Sequence, residues 1–325
     1  MDYGGVPLWI DRLLGEPSVL SLRGRLDAAW YRATNPQACP QRCDCPIQWP
    51  TALYCDQRSL EDLPELLPAR TQYLFLQRNN ISSLTASFLA NITGLHWLIL
   101  DHNLLKNDQL DQGILRNQSQ LVYLFANHNQ LSSVPRNLPD GLKQLRLAHN
   151  QISSIGPEAL KNLKIRQCNN TRLSLLDLSE NAFSSVPRHL PTSLQQLYLS
   201  NNSLSGLDED IFQRLVHLKH LRLSHSFLKS GNVHPQAFNL STLVELDLSY
   251  NKLTSIPTVP TTLQHLYLEA NEIQGEFNVT SFCREVGPLT YSRLKTLRLD
   301  GNEVSYRHLP SDWVYCLRVI QSIYI

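Results

Sequence analysis

The chain has no basic excess. Among its 325 residues Lys and Arg number 29 and Asp and Glu 28, for a net charge of +1. That excludes the chain-wide cationic footprint by which nucleic-acid-binding proteins grip phosphates. Charge of either sign is sparse: charged residues make up 18%, below the roughly 25% of an average soluble domain. Long apolar runs are missing too. Runs such as Trp97 to Leu100 fall far short of the about 20 residues that span a membrane. Glycine is scarce, 13 residues without a three-residue period, so the chain is not itself collagen-like. The common catalytic signatures (H-E-x-x-H, G-x-S-x-G, the P-loop, G-x-G-x-x-G) are absent. These absences point away from an enzyme, a cofactor, a nucleic acid or a membrane, in a chain long enough for one or two domains.

What is present is a repeat, Leu-x-Leu-x-x-Asn-x-apolar. It opens as Leu74-Phe-Leu76-Gln-Arg-Asn79-Asn-Ile81 and recurs, for example, as Leu98-Ile-Leu100-Asp-His-Asn103-Leu-Leu105 and Leu246-Asp-Leu248-Ser-Tyr-Asn251-Lys-Leu253. The Asn position falls at 79, 103, 129, 150, 181, 202, 226, 251, 271 and 302. This is the leucine-rich-repeat pattern, and ten copies in register are not an accident.

Each Leu-x-Leu predicts a short strand with alternate side chains turned inward, stacking in parallel on its neighbours at about 4.8 Å. One coil cannot bury its own leucines; the coils on either side do. The Asn amide, with two donors and a carbonyl, can satisfy backbone groups where the chain leaves the strand. Position 226 is Ser, which predicts a local weak point of about 1 kcal/mol.

The expected fold class is therefore an α/β leucine-rich-repeat solenoid, with a curved parallel sheet on the concave side and short helical or polyproline turns on the convex side. Short coils carry Pro, at Val134-Pro135, Val186-Pro187 and Ile256-Pro257, which favours extended backbone. Long coils carry wider apolar sets such as Ile211-Phe212 and Leu215, with room for a helical turn. Two long coils and one short alternate. The single 31-residue step from Asn150 to Asn181 breaks that rhythm, about 18 residues short of two long coils. Residues 160–175 are thus either two repeats fused across a lost segment or a long loop.

Seven cysteines are present. Cys39, Cys43, Cys45 and Cys55 precede the first repeat, and Cys283 and Cys316 bracket the last. A solenoid exposes its core at both ends and needs caps, and disulfide-tied caps fit an oxidising compartment. With no paired C-x2-C and no His nearby, the first cluster does not read as a zinc site. Cys168 is left over. Sequons at Asn80, Asn91, Asn117, Asn169, Asn201, Asn239 and Asn278 agree with secretion. Asn80 and Asn201 adjoin the repeat's Asn positions and read as accidental; Asn91 and Asn239 fall on the convex side of long coils. Residues 1–20 lack an unbroken apolar secretion signal, so that signal is missing from the chain or the start is misassigned. Residues 1–38 show no repeat and read as a flexible arm. The domain reading is arm 1–38, Cys-rich cap 39–72, repeats 73–270, and a last repeat with its cap over 271–325.

Together the cluster Cys43-Asp-Cys-Pro-Ile-Gln-Trp-Pro-Thr-Ala-Leu-Tyr-Cys55, the repeat and Gly287-Pro-Leu-Thr-Tyr-Ser-Arg-Leu-Lys-Thr-Leu-Arg-Leu-Asp-Gly-Asn302 resemble the small leucine-rich proteoglycans, in particular their keratan-sulfate class. The resemblance covers about residues 39–325. It implies disulfides Cys39–Cys45, Cys43–Cys55 and Cys283–Cys316, an extended coil over 271–302, N-linked keratan sulfate, binding to fibrillar collagen, and control of fibril diameter and spacing. Asn91 and Asn239 match the family's glycan positions best, with Asn117, Asn169 and Asn278 as further candidates. The chain departs from the family in its arm, which holds only Tyr3 and Tyr31, and in the repeat missing near 160–175.

The outward strand positions offer a binding face for a long, repetitive polar partner, or for a second copy of the chain. The candidates are Arg146, Asp177, Tyr198, Arg222, Asp247, Glu269, Arg298 and Asp300, with Phe75, Asp101, Phe125 and Tyr267 on the same side. The other function class is a secreted recognition module for growth factors or immune ligands. His102, His128, His149 and His225 precede the Asn position and read as solvated turn residues rather than metal ligands.

Overall fold

The computed structural model describes residues 39–325 apart from 48, 65, 108–112, 157, 162, 164–172, 275–277, 284–289, 310 and 312. The expected arm, Cys168, Asn169 and most of the anomalous stretch lie outside the described residues. The chain forms two compact units, divided near residue 142, with 132–134 grouped with the second.

The first unit carries β1 (Ala52–Tyr54), β2 (Tyr73–Phe75), β3 (Trp97–Ile99) and β4 (Tyr123–Phe125), with a one-turn helix α1 (Ala86–Leu89). All pair in parallel with equivalent leucines in register, Leu53 to Leu74 to Leu98 to Leu124.

The second unit carries β5 (Gln144–Arg146), β6 (Leu175–Asp177), β7 (Gln196–Tyr198), β8 (His220–Arg222), β9 (Glu245–Asp247), β10 (His265–Tyr267), β11 (Thr296–Arg298) and β12 (Ser322–Tyr324), and a one-turn helix α2 (Trp313–Cys316). Leu145, Leu176, Leu197, Leu221, Leu246, Leu266, Leu297 and Ile323 form its central row. Across the 31-residue step, β5 pairs directly with β6. Around Ile211 the long coil makes successive three-residue turns, Ile211 N–H to Asp208 O and Leu215 N–H to Phe212 O, instead of a helix.

The core follows from the period of two. Leu145, Leu197, Leu221, Leu246, Leu266 and Leu297 are fully buried, each such burial stabilising by about 1.5–3 kcal/mol. Behind them a second layer of buried rings, Phe183, Phe212, Phe238 and Phe282, fills the coils.

The Asn side chains form the expected ladder. Asn251 Nδ2 donates to Leu223 O and Leu248 O, and its Oδ1 accepts from the N–H of Ser226 and of Leu228. Asn181, Asn202, Asn271 and Asn302 bridge neighbouring coils in the same way. Ser226 reaches only Leu199 O and Ser224 O, both at 3.3 Å. The N–H of the buried residue Leu204, which an Asn at 226 would serve, has no such acceptor among the described residues.

The residue before each ladder position adopts left-handed backbone. In the second unit these are His149, Glu180, Asn201, His225, Tyr250, Ala270 and Gly301, with φ between 52° and 74°. Arg78, His102 and His128 do the same in the first unit. A single left-handed residue turns the chain sharply out of the strand; only Gly does so without steric cost.

Disulfides close both ends: Cys39–Cys45 and Cys43–Cys55 before β2, and Cys283–Cys316 in the last coil. No helix among the described residues is long and apolar enough to cross a membrane.

Candidate binding face

Strand alternation turns half the side chains of each Leu-x-Leu away from the core, and the two units use that side differently. In the first unit it is apolar: Tyr73, Phe75, Trp97, Ile99, Tyr123 and Phe125 form one buried cluster with Ala52. Trp49 packs on it, its ring centroid 4.8 Å from that of Tyr73. Phe75 and Phe125 are therefore not the open contact positions expected of them; they are 0% and 9% exposed. The cause is legible locally. Tyr73-Leu-Phe75-Leu and Trp97-Leu-Ile99-Leu are apolar at every position, the mark of strands buried on both faces.

In the second unit the outward side is polar. The register places Arg146 beside Asp177, Asp177 beside Tyr198, and Tyr198 beside Arg222. The order then begins again, with Asp247, Tyr267 and Arg298, and ends at Tyr324. One row thus reads Arg–Asp–Tyr twice over, then Arg, a period of three coils or about 14 Å at the usual strand spacing. Glu269 and Asp300 lie two residues beyond the ends of β10 and β11. All eight candidate face residues belong to this unit, and the structure brings them together along its strands.

The row is stiffened by charge pairing. Glu245 accepts from Arg222 Nε at 2.8 Å and pairs with His220 Nδ1 at 3.2 Å. The His220 hydrogen bond and then the Arg222 guanidinium hold its carboxyl down, to about 2, against the opposing effect of burial. Arg222 also lies 4.8 Å over the Tyr198 ring, a cation–π contact. Arg298 binds Asp300 through two nitrogens, at 3.1 and 2.8 Å, and approaches Glu269 at 3.4 Å. The Arg298 bond lowers the Asp300 carboxyl. Burial raises that of Glu269, whose Oε2 is buried with no hydrogen-bond partner among the described residues, as is Gln144 Oε1.

Among the described residues no three His, Cys, Asp or Glu side chains converge as a metal site. The histidines lie in the left-handed turn: His102 stacks on His128 at 4.0 Å, His225 on Tyr250 at 4.3 Å, and His149 pairs with Glu180 at 2.8 Å. The sequon residues Asn91, Asn117, Asn239 and Asn278 are exposed. Asn278 Oδ1 accepts from Thr280 N–H and its hydroxyl.

These strands, ladder and turns define a leucine-rich-repeat protein, and models of the leucine-rich repeat match residues 141–163, 171–228, 192–238 and 242–261. The chain is 41% identical to human lumican over 90% of each chain and 42% identical to the mouse protein over the same share. Bovine fibromodulin is 40% identical over 90% of this chain and 81% of its own. A solved chain from the octameric complex of Latrophilin 3, Unc5D and FLRT2 aligns with a TM-score of 0.63 at 25% identity, over 88% of this chain and 83% of its own. The chain belongs to the small leucine-rich proteoglycans, the family of lumican and fibromodulin.

Proposed function

We propose that this protein is a secreted glycoprotein of the extracellular matrix. It binds fibrillar collagen through the outward face of β5–β12 and so regulates fibril diameter and spacing. The observation that carries the reading is the Arg–Asp–Tyr row. A surface repeating both charges and an aromatic ring at one interval suits a long partner that repeats its own polar groups. A compact ligand would use only one copy. Arg222 is held by Glu245 and Arg298 by Asp300, so less side-chain entropy is lost on contact. Family membership supports the same partner class, as well as keratan sulfate on exposed sequons, Asn91 and Asn239 first. Contact rather than catalysis is the role, and the disulfide-tied ends suit an oxidising compartment.

The test is co-sedimentation of the secreted, glycosylated chain with reconstituted collagen fibrils, together with turbidity of fibrils grown in its presence. Binding with altered fibril growth is expected. A protein that stays in the supernatant and leaves growth unchanged contradicts the reading. A keratanase-sensitive loss of mass is expected on the same material.

A further inference from the structure

A second row runs along the entry edge of the same sheet. In the second unit the carbonyl just before each strand accepts two N–H groups from the next coil. Lys143 O takes Ser174 and Leu175, Gln195 O takes Lys219 and His220, and Gln264 O takes Lys295 and Thr296. The carbonyls of Ser174, Lys219, Val244 and Lys295 continue the chain. The entry positions are thus locked side by side from β5 to β12, and no carboxylate occupies any of them.

Three of these positions are lysine, and they recur at every third coil: Lys143 at β5, Lys219 at β8 and Lys295 at β11. Each stands in a copy of one motif, Leu142-Lys143-Gln-Leu-Arg-Leu147, Leu218-Lys219-His-Leu-Arg-Leu223 and Leu294-Lys295-Thr-Leu-Arg-Leu299. Successive lysines of the row are therefore three strands apart, about 14 Å along the sheet. The arginines of the motif are tied down where Arg222 meets Glu245 and Arg298 meets Asp300. The lysines are not: none of the three makes an ion pair among the described residues. Between them lie hydrogen-bonding side chains, Ser174, Gln195 and Gln264, and a single apolar residue, Val244.

We infer that this edge is a binding site for a linear sulfated polysaccharide. Three unpaired cations in line, evenly spaced over about 29 Å at the usual strand separation, fit a polymer carrying anions along its length. The amide and hydroxyl groups between them suit sugar hydroxyls. An acidic peptide would call for buried aromatic or aliphatic anchors, and this row offers none beyond Val244. The site is separate from the Arg–Asp–Tyr row, so one molecule can hold a fibril with its face and a sulfated chain with its edge.

The test uses the secreted full chain on immobilised heparin, with chemically desulfated heparin as the control matrix. Retention on heparin and none on the desulfated form is expected. Lys143→Gln/Lys219→Gln/Lys295→Gln should elute at much lower salt and bind at least about tenfold more weakly near 0.1 M salt. Its slope of log affinity against log salt should be shallower by about 2, as expected for three lost contacts to a flexible polyanion. Lys229→Gln/Lys252→Gln, two exposed lysines elsewhere, should behave as wild type. Co-sedimentation of the triple variant with collagen should be unchanged, which separates this site from the face. Wild-type retention of the triple variant, or equal retention on the desulfated matrix, overturns the inference. So does competition by polyglutamate as effective as competition by heparin, since the ligand would then be an acidic polypeptide.

Discussion

Arg222 and Glu245 sit on adjacent strands but not opposite each other. The register sets Arg222 against Asp247 and Glu245 against His220, yet the guanidinium reaches diagonally to Glu245, Nε to Oε1 at 2.8 Å. Glu245 thereby collects two partners, the Arg222 guanidinium and the His220 ring, and leaves Asp247 to the turn, where it accepts from the Ser249 N–H and hydroxyl.

That arrangement predicts a pH dependence. The Glu245 carboxyl is held near 2, below its ordinary 4.5, so the unfolded chain binds the proton more readily. Its stabilisation is complete above about pH 4.5 and fades as pH falls toward 2. Denaturant titrations of wild type and Glu245→Gln should differ at pH 7 by about 3 kcal/mol at most and converge at acid pH. A difference that stayed constant from pH 7 to 2.5 would contradict the assignment.

The break in the Asn ladder should be repairable. Ser226→Asn supplies an acceptor for the Leu204 N–H and a second donor toward the carbonyls now served by one hydroxyl. Thermal unfolding should shift upward, by about 1 kcal/mol in stability. An unchanged or lower melting temperature would count against a weak point at this position.

Gly301 should not tolerate a side chain. It is the one glycine in the left-handed row, with φ +74°, and an added Cβ would lie 3.3 Å from the backbone of Ala270. Gly301→Ala should cost about 1–2 kcal/mol, measured by urea unfolding, where Gly231→Ala, with open space around it, costs less.

The last coil depends on its disulfide. Cys283→Ser/Cys316→Ser should lower stability by about 2–4 kcal/mol. Hydrogen exchange should quicken around β11 and β12 before β6 and β7. Uniform loss of protection across those strands would contradict a local capping role.

Much of this architecture is legible in the residues. Leu98-x-Leu100 announces a strand by its period, and Asn103 announces the turn by its amide. The left-handed turn is not legible, because Arg78, His102, Glu180, Tyr250 and Ala270 share a φ without sharing a chemistry. Position in the coil imposes it. The burial of Phe75 and Phe125 is missed for a related reason. A strand residue facing away from the core is taken as open, whereas neighbouring coils with Trp97, Ile99 and Tyr123 make that side apolar as well. The Arg–Asp–Tyr row is written in the sequence at Arg146, Arg222 and Arg298, but unequal coil lengths hide it until register aligns the strands. The lysine row shares that register and is hidden with it.

The face of the second unit as the collagen contact can be tested by hydroxyl-radical footprinting of the protein alone and on fibrils. Tyr198, Tyr267 and Tyr324 lie in the row, whereas Tyr306 and Tyr315, 62% and 67% exposed, lie off it. A charge-swapped Arg222→Glu/Arg298→Glu chain, which should bind more weakly and with less salt sensitivity, serves as the reference. The account predicts that fibrils protect the three row tyrosines and leave Tyr306 and Tyr315 as reactive as before. Protection of Tyr306 and Tyr315 with the row left fully reactive would contradict it.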